Sequence, residues 1–451
     1  MTLKQIAQAV GGTVIPPEAD GVVDYVSTDT RTIGQGSLFI AIQGERFDGH
    51  NFVPQAMESG AVAALVSKKP ESSDPVILVE DTRKAYGDLA AWYRNQFSLF
   101  LVGVTGSVGK TSTKEMIYTV LSHKMKVLKT QGNLNNDIGL PKTLLELDDS
   151  HQGAVIEMGM SHFGEISYLS RICRPTLGVI TNIGVSHMEN LGSRENILKA
   201  KLEILDGMEP DGTLILNRDN DMLSTLYGKR ENTLWFGIDA PADVTAKDIV
   251  SQGSETQFTL CFQGKEYPAV IPVIGVHNVY NALAGFLVGI QVGMAPEEII
   301  ESFLVYQNSG MRQKISEYDG IKVIEDCYNA SPDSMRSALN VIETIPCDGR
   351  RIAVLGDMLE LGENSVRFHE EVGEMAAESG LDELICFGTE ALHIQKGAKE
   401  KGFCQVSHFL DKGNMVSYLR KILKKGDAVI FKASRGIRLE EVTQALFKGE
   451  K

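Results

Sequence analysis

Leu99-Phe100-Leu101-Val102-Gly103-Val104-Thr105-Gly106-Ser107-Val108-Gly109-Lys110-Thr111-Ser112-Thr113-Lys114-Glu115-Met116-Ile117 is the stretch around which the chain is arranged. An apolar run ends at Val104, small residues fill Thr105 to Gly109, and a helical pattern begins near Lys110. This is the order strand, phosphate loop, helix. Glycines let the backbone approach phosphate oxygens, and the free N–H groups of the helix start point at the anion. Lys110 is placed to reach the β- and γ-phosphates, and Thr111 to offer its hydroxyl to Mg²⁺. The general phosphate-loop pattern wants glycine where Val104 stands, so the fit is to the shorter form Gly106-x-x-Gly109-Lys110-Thr111. Without the flanking strand and helix, the same residues would read as an ordinary turn.

The 451 residues are too many for one core and suggest about three domains. Hydrophobic residues at 43% and charged residues at 23% suit a globular chain. A net charge of -15 argues against sequence-independent nucleic-acid binding, which needs basic surface to displace counterions. The first ten residues read as an amphipathic helix and not a signal peptide, and no run reaches membrane-span length. The six cysteines lack C-x-x-C spacing, which points to reduced thiols in a cytoplasmic enzyme without structural zinc. Cys327 reads as a buried structural thiol.

Residues 1–82 alternate strands (37–42, 62–67, 76–79) with a helix at 51–59, a small α/β domain. Its loops Ser27 to Arg31 and Gly44 to Asn51 are richer in donors than a connection needs, although solvated turns often look alike. Residues 82–96 look helical. Residues 83–313 form a central ATP-binding domain with a mainly parallel sheet and an antiparallel insertion at 232–275. Residues 314–451, with strands at 322–326, 351–355, 383–387 and 428–432, form a doubly wound, Rossmann-like domain.

Glu157 ends a short buried strand, where ligands bind in open parallel sheets, and suits Mg²⁺; otherwise it is a capping or surface carboxylate. Projecting Ile197 to Met208 as a helix puts Ile197, Leu198, Leu202, Ile204, Leu205 and Met208 on one face, with Lys201 in its middle. A buried ammonium is costly unless paired, neutral or modified, and a neutral lysine can take up CO₂ to give a metal-binding carbamate. The alternative is a packed stem with its head snorkelling to the rim. Asn278 and Asn281 open a helix, either reading a purine edge or, for Asn278, capping it.

These pieces in order resemble the ATP-dependent Mur ligases over essentially the whole chain. The segments that carry the likeness are Thr105 to Thr111, Gly132 to Gly139, Glu157-Met158-Gly159, His187, Ala200-Lys201, Gly275 to Ala282, Asp326 to Pro332 and Leu355 to Gly362. Tyr328-Asn329-Ala330 and Lys432-Ala433-Ser434-Arg435 favour the dipeptide-adding branch; Ala433 stands where glycine is common, a tolerable change unless a positive φ is needed.

The resemblance implies ATP and Mg²⁺ as cofactors, with UDP-N-acetylmuramoyl-tripeptide and D-alanyl-D-alanine as substrates joined through an acyl phosphate. It implies a cytoplasmic, monomeric enzyme of peptidoglycan synthesis. ATP would be held by Thr105, Gly106, Ser107, Val108, Gly109, Lys110, Thr111 and Ser112, by Asn278 and Asn281 at adenine, and by Arg312 and Asp326. Thr111 and Glu157 would bind one metal ion, His187 and carbamylated Lys201 a second, with Lys110, His187 and Lys201 as the catalytic set. Ser27, Thr30, Arg31 and Arg46 would hold the UDP moiety, Asn135 and Asn136 would lie toward the acceptor, and Tyr328, Asn329, Lys432, Ser434 and Arg435 would take the dipeptide. A folylpolyglutamate-synthase-like ligase shares the phosphate loop, but its ATP core is expected nearer the N-terminus. An ATPase switch without a ligase step is the non-ligase alternative.

Overall fold

The computed structural model describes residues 1–44, 47–69, 71–308 and 310–448. The first sheet runs Thr13–Ile15, Val76–Leu78, Ala63–Val66, Ser37–Ile40, Tyr25–Ser27, parallel except for its first pair. Ser37–Ile40 and Ala63–Val66 are buried throughout, as expected of parallel strands covered on both faces. The strands that the sequence pattern does not show, Thr13–Ile15 and Tyr25–Ser27, are short, half-exposed edges.

Asp81 caps the helix Thr82–Arg94 by accepting from the Arg83 and Lys84 N–H groups. This helix is common to two lobes: Ala85, Tyr86 and Leu89 enter the N-terminal core, while Ala90 enters the central one.

The central sheet has nine strands in the order Lys265–Ile271, Glu255–Phe262, Val244–Gln252, Thr233–Gly237, Thr213–Asn217, Leu177–Ile180, Phe100–Thr105, Gly153–Glu157, Val127–Lys129. All pairs are parallel except those among Val244–Gln252, Glu255–Phe262 and Lys265–Ile271. The expected insertion is therefore no separate sheet: Thr233–Gly237 is parallel, and the antiparallel strands prolong the same surface. Phe258, Leu260, Ala269 and Ile271 share the core that covers the helix Val276–Gln291, which fixes them there. Phe100–Thr105 lies between Gly153–Glu157 and Leu177–Ile180, where the winding reverses, and open sheets bind ligands at such a point.

The helix expected over 197–208 is α-helical only as Arg194–Leu202 and tightens to a 3-10 turn at Glu203–Asp206. There the Glu203 carboxylate accepts from the N–H groups of Gly164 (2.9 Å) and Ser167 (3.2 Å).

The third sheet runs Lys314–Tyr318, Ile321–Glu325, Ala428–Lys432, Arg351–Gly356, Glu383–Phe387, Val406–Phe409, parallel apart from its first hairpin. Helices cover both faces, with one core around Leu339 and Val372 and another around Leu419 and Val442. Among the described residues no helix is long and apolar enough to cross a membrane.

Candidate active site

The phosphate loop is held from outside. Gly106 has φ +150°, and a Cβ there would stand 1.9 Å from Thr181 Oγ1, so only glycine fits. Gly109, at φ +85°, caps the helix Lys110–Ser122. The Val108 N–H donates to Asn182 Oδ1 (2.9 Å), the Ser107 N–H to the Asn182 carbonyl (3.0 Å), and the Thr181 hydroxyl to the Val108 carbonyl (2.6 Å). Lys110 Nζ arches back to the Gly106 carbonyl at 2.8 Å. Burial lowers its pKa, and the Glu157 charge opposes that shift. Thr105 lies beneath the loop, its buried hydroxyl without a partner, and neither Thr105 nor Gly106 lines the cavity described below.

Glu157, 2% exposed, is surrounded by donors. Its Oε2 accepts from the Thr111 hydroxyl and its Oε1 from Asn135 Nδ2, both at 2.8 Å. Lys114 Nζ lies 3.6 Å from Oε2 and donates to the Thr130 carbonyl at 2.7 Å. Lys114 is completely buried, and the sequence reading did not single it out, although it follows Lys110 by one helical turn and so shares its face. A hydroxyl beside a carboxylate at a phosphate loop is an oxygen donor set that suits Mg²⁺, and Thr111 and Glu157 fit it.

A cavity of about 890 Å³ opens here, lined by residues of the central lobe and of the third lobe, with Arg83 the first in the chain to reach it. Ser107 to Thr113, Asn135, Asn136, Glu157 and Asn281 line it from the central sheet. Arg312, Asp326, Tyr328, Asn329 and Lys432 face them. Asn136 also caps the helix Gly139–Leu144 through the Gly139 N–H (2.9 Å). Arg312 stacks its guanidinium 3.8 Å from the centre of the Tyr328 ring, and Lys432 Nζ bonds Asp326 Oδ2 at 2.7 Å and the Asn329 carbonyl at 3.0 Å.

His187 sits in the left-handed region at φ +63° and brings Nδ1 to 2.8 Å from Glu360 Oε2 on the third lobe. That contact holds the Glu360 carboxyl below its ordinary range. Lys201 is 1% exposed, and burial first, then the Lys110 charge, push its pKa well down. No described residue pairs with its ammonium, and it is not among the residues that line the cavity.

Several expected site residues lie away from this cavity or bond elsewhere. Asn278 does not line the cavity: its Nδ2 donates to the Ile274 carbonyl (2.8 Å), one helical turn back. Asn281 does line the cavity, with Oδ1 accepting from the Thr113 hydroxyl at 2.7 Å. Ser434 accepts from the Leu359 N–H (2.9 Å), and Arg435 pairs with Glu440 (2.7 Å); both serve the third lobe itself, and neither lines the cavity. Ala433 has no positive φ, so the missing glycine carries no backbone strain. Ser27, Thr30 and Arg31 form a separate hydrogen-bonded turn, with Ser27 2.7 Å from Thr32 and Arg31 forked onto Asp29, away from this cavity. Arg46 lies outside the described residues. Cys327 is buried against the Phe431 carbonyl, and all six cysteines are free thiols.

Profiles of known families match three successive stretches: Mur ligase family, catalytic domain, over residues 22–94; Mur ligase middle domain over 104–289; and Mur ligase, glutamate ligase domain, over 311–435. A UDP-N-acetylmuramoyl-tripeptide--D-alanyl-D-alanine ligase of Bacillus subtilis is 42% identical over 99% of this chain and 98% of its own. The ligase of the same name from Escherichia coli is 38% identical over the same shares. A crystal structure of MurF from Acinetobacter baumannii superposes with a TM-score of 0.92 at 32% identity, covering 99% of this chain and 98% of that one. MurF ligase from Thermotoga maritima in complex with ADP gives 0.86 at 31% identity, covering 94% and 97%.

Proposed function

This chain belongs to the Mur ligase family, and from that premise we propose that it joins D-alanyl-D-alanine to UDP-N-acetylmuramoyl-tripeptide at the expense of ATP. The observation that carries this reading is one cavity in which the phosphate loop and Glu157 face Tyr328, Asn329 and Lys432. The ADP complex of the Thermotoga ligase supports ATP as the nucleotide.

The phosphate loop and Lys110 hold the triphosphate against the terminal carboxylate of the acceptor. The γ-phosphoryl group passes to a carboxylate oxygen and ADP leaves. The dipeptide amine then attacks the acyl carbon, and phosphate departs as the amide forms. Both partners of the first step are anions, so the chain's main work is placement and charge neutralisation. Asn135 fixes the Glu157 carboxylate, and the Arg312–Tyr328 stack closes the side from which the dipeptide arrives. Thr111 and Glu157 would hold Mg²⁺, which would supply further positive charge to neutralise the reacting anions. His187 and Lys201 would serve a second ion, with Lys201 as its carbamate; low solvation of its amine favours the neutral form that takes up CO₂. We place the reaction in the cytoplasm, in keeping with free thiols.

The test is ADP release with each substrate omitted in turn, with the amide product read by mass spectrometry. Coupled turnover requiring both acceptor and dipeptide is expected. ATP hydrolysis indifferent to D-alanyl-D-alanine would sink the proposal.

A further inference from the structure

An arm of the cavity's lining is left unused by the chemistry above: with Asn135 it includes Arg83, on the helix Thr82–Arg94, and Asp137, which form an ion pair. Arg83 Nη2 donates to Asp137 Oδ1 at 2.8 Å, and its Nε to Asp137 Oδ2. Both residues line the cavity with side chains 47% and 31% exposed. Beside them Tyr168 forms a wall, packed so closely on the helix that a Cβ on Gly87 would lie 2.0 Å from its hydroxyl. Met160 and Leu169 add apolar surface to the same cavity.

Position decides what this arm meets. Asn135 binds Glu157, where the acceptor's reactive carboxyl must come. Asp137 follows Asn135 by two residues, so their Cα atoms are at most about 7 Å apart. That is the reach of a long side chain on the residue that carries the reactive carboxyl. The aliphatic part of such a side chain would cross the Tyr168 wall, and its tip would arrive at Arg83 and Asp137.

We propose that the Arg83–Asp137 pair reads the far end of the acceptor's third residue, and that it selects an amino-carboxylate tip, as in diaminopimelate, over the bare ammonium of lysine. This rests on the ligase reading above. A lone ammonium meets a carboxylate already forked by a guanidinium, with that cation beside it. An amino-carboxylate instead gives Arg83 a second carboxylate in the bidentate geometry that guanidinium favours, and Asp137 an ammonium. One half-exposed ion pair, worth little in water, is then replaced by a ring of four alternating charges.

The experiment uses the full chain, ATP, D-alanyl-D-alanine and three UDP-linked tripeptides, ending in diaminopimelate, in diaminopimelate with its distal carboxyl amidated, and in lysine. The wild-type kcat/KM is expected to favour the acid over the other two by roughly ten- to a hundredfold, the range of a hydrogen bond to a charged group. In Arg83→Gln the acid acceptor falls toward the amidated one, and Arg83→Lys recovers part of the difference. Wild-type indifference between acid and amide, or preference for lysine, overturns the inference without any variant. So does an Arg83→Gln variant that lowers all three acceptors equally, since the arginine would then serve packing or a carboxylate common to all. Turnover of none of the three would remove the ligase reading itself.

Discussion

Glu157 takes a hydrogen bond on each carboxylate oxygen, from Thr111 and Asn135, and Lys114 Nζ lies 3.6 Å from one of them. Glu157→Gln keeps the shape and removes the charge. We expect kcat to fall about a hundredfold or more, with ADP binding by calorimetry weakened far less, because the charge is needed most as phosphate moves. Lys201→Ala is expected to nearly abolish ligation, and short carboxylic acids to restore part of it by standing in for a carbamate; full activity in the variant would refute that role. Glu157 was legible in the sequence because a strand end and a phosphate loop are local patterns. Lys114 and Asn182 were not, since their work is to hold other segments that only folding brings near. Ser434 and Arg435 bond within their own lobe for a related reason: polar residues after a strand can turn to the cleft or to their own lobe, and the motif does not say which.

Among the elements, the strand–loop–helix unit is the most sharply constrained. A methyl group at Gly106 collides with Thr181 Oγ1, and the neighbouring backbone is tied to Asn182. Gly106→Ala is expected to cost roughly 1–3 kcal/mol of stability by overpacking and to abolish the rise in melting temperature on adding ADP. A melting temperature and ADP response equal to wild type would contradict the tightness described. The longer buried strands were readable from their apolar runs, whereas the three-residue edges Thr13–Ile15 and Tyr25–Ser27 were too short to carry a period. The helix over 197–208 was over-read because its hydrophobic spacing persists through Glu203–Asp206, where Glu203 answers to backbone donors of another helix. Periodicity registers the buried face but not a carboxylate's distant partners.

At the scale of the molecule, His187 and Glu360 meet at 2.8 Å across the cleft between the central and third lobes. Reactants attached to different lobes must converge, so the cleft is expected to open and close during turnover. Small-angle scattering should show a smaller radius of gyration with ADP, acceptor and dipeptide together than without ligands; identical profiles would count against it. Glu360→Gln removes one latch and should shift the ligand-free profile toward larger dimensions.

The helix Thr82–Arg94 gives the two lobes at its ends very different freedoms. Because it seeds two interiors, cutting the chain after Arg94 would uncover Ala90, Ala91 and Tyr93 on one piece and the central-lobe surface they pack on in the other, leaving each prone to clump. A cut near 310, in the stretch joining the central sheet to the last one, parts a smaller shared interior, where Ile274 joins the core around Leu339 and Val372 and Val185 packs against it. Fragments for separate expression are therefore better divided there than at the earlier junction.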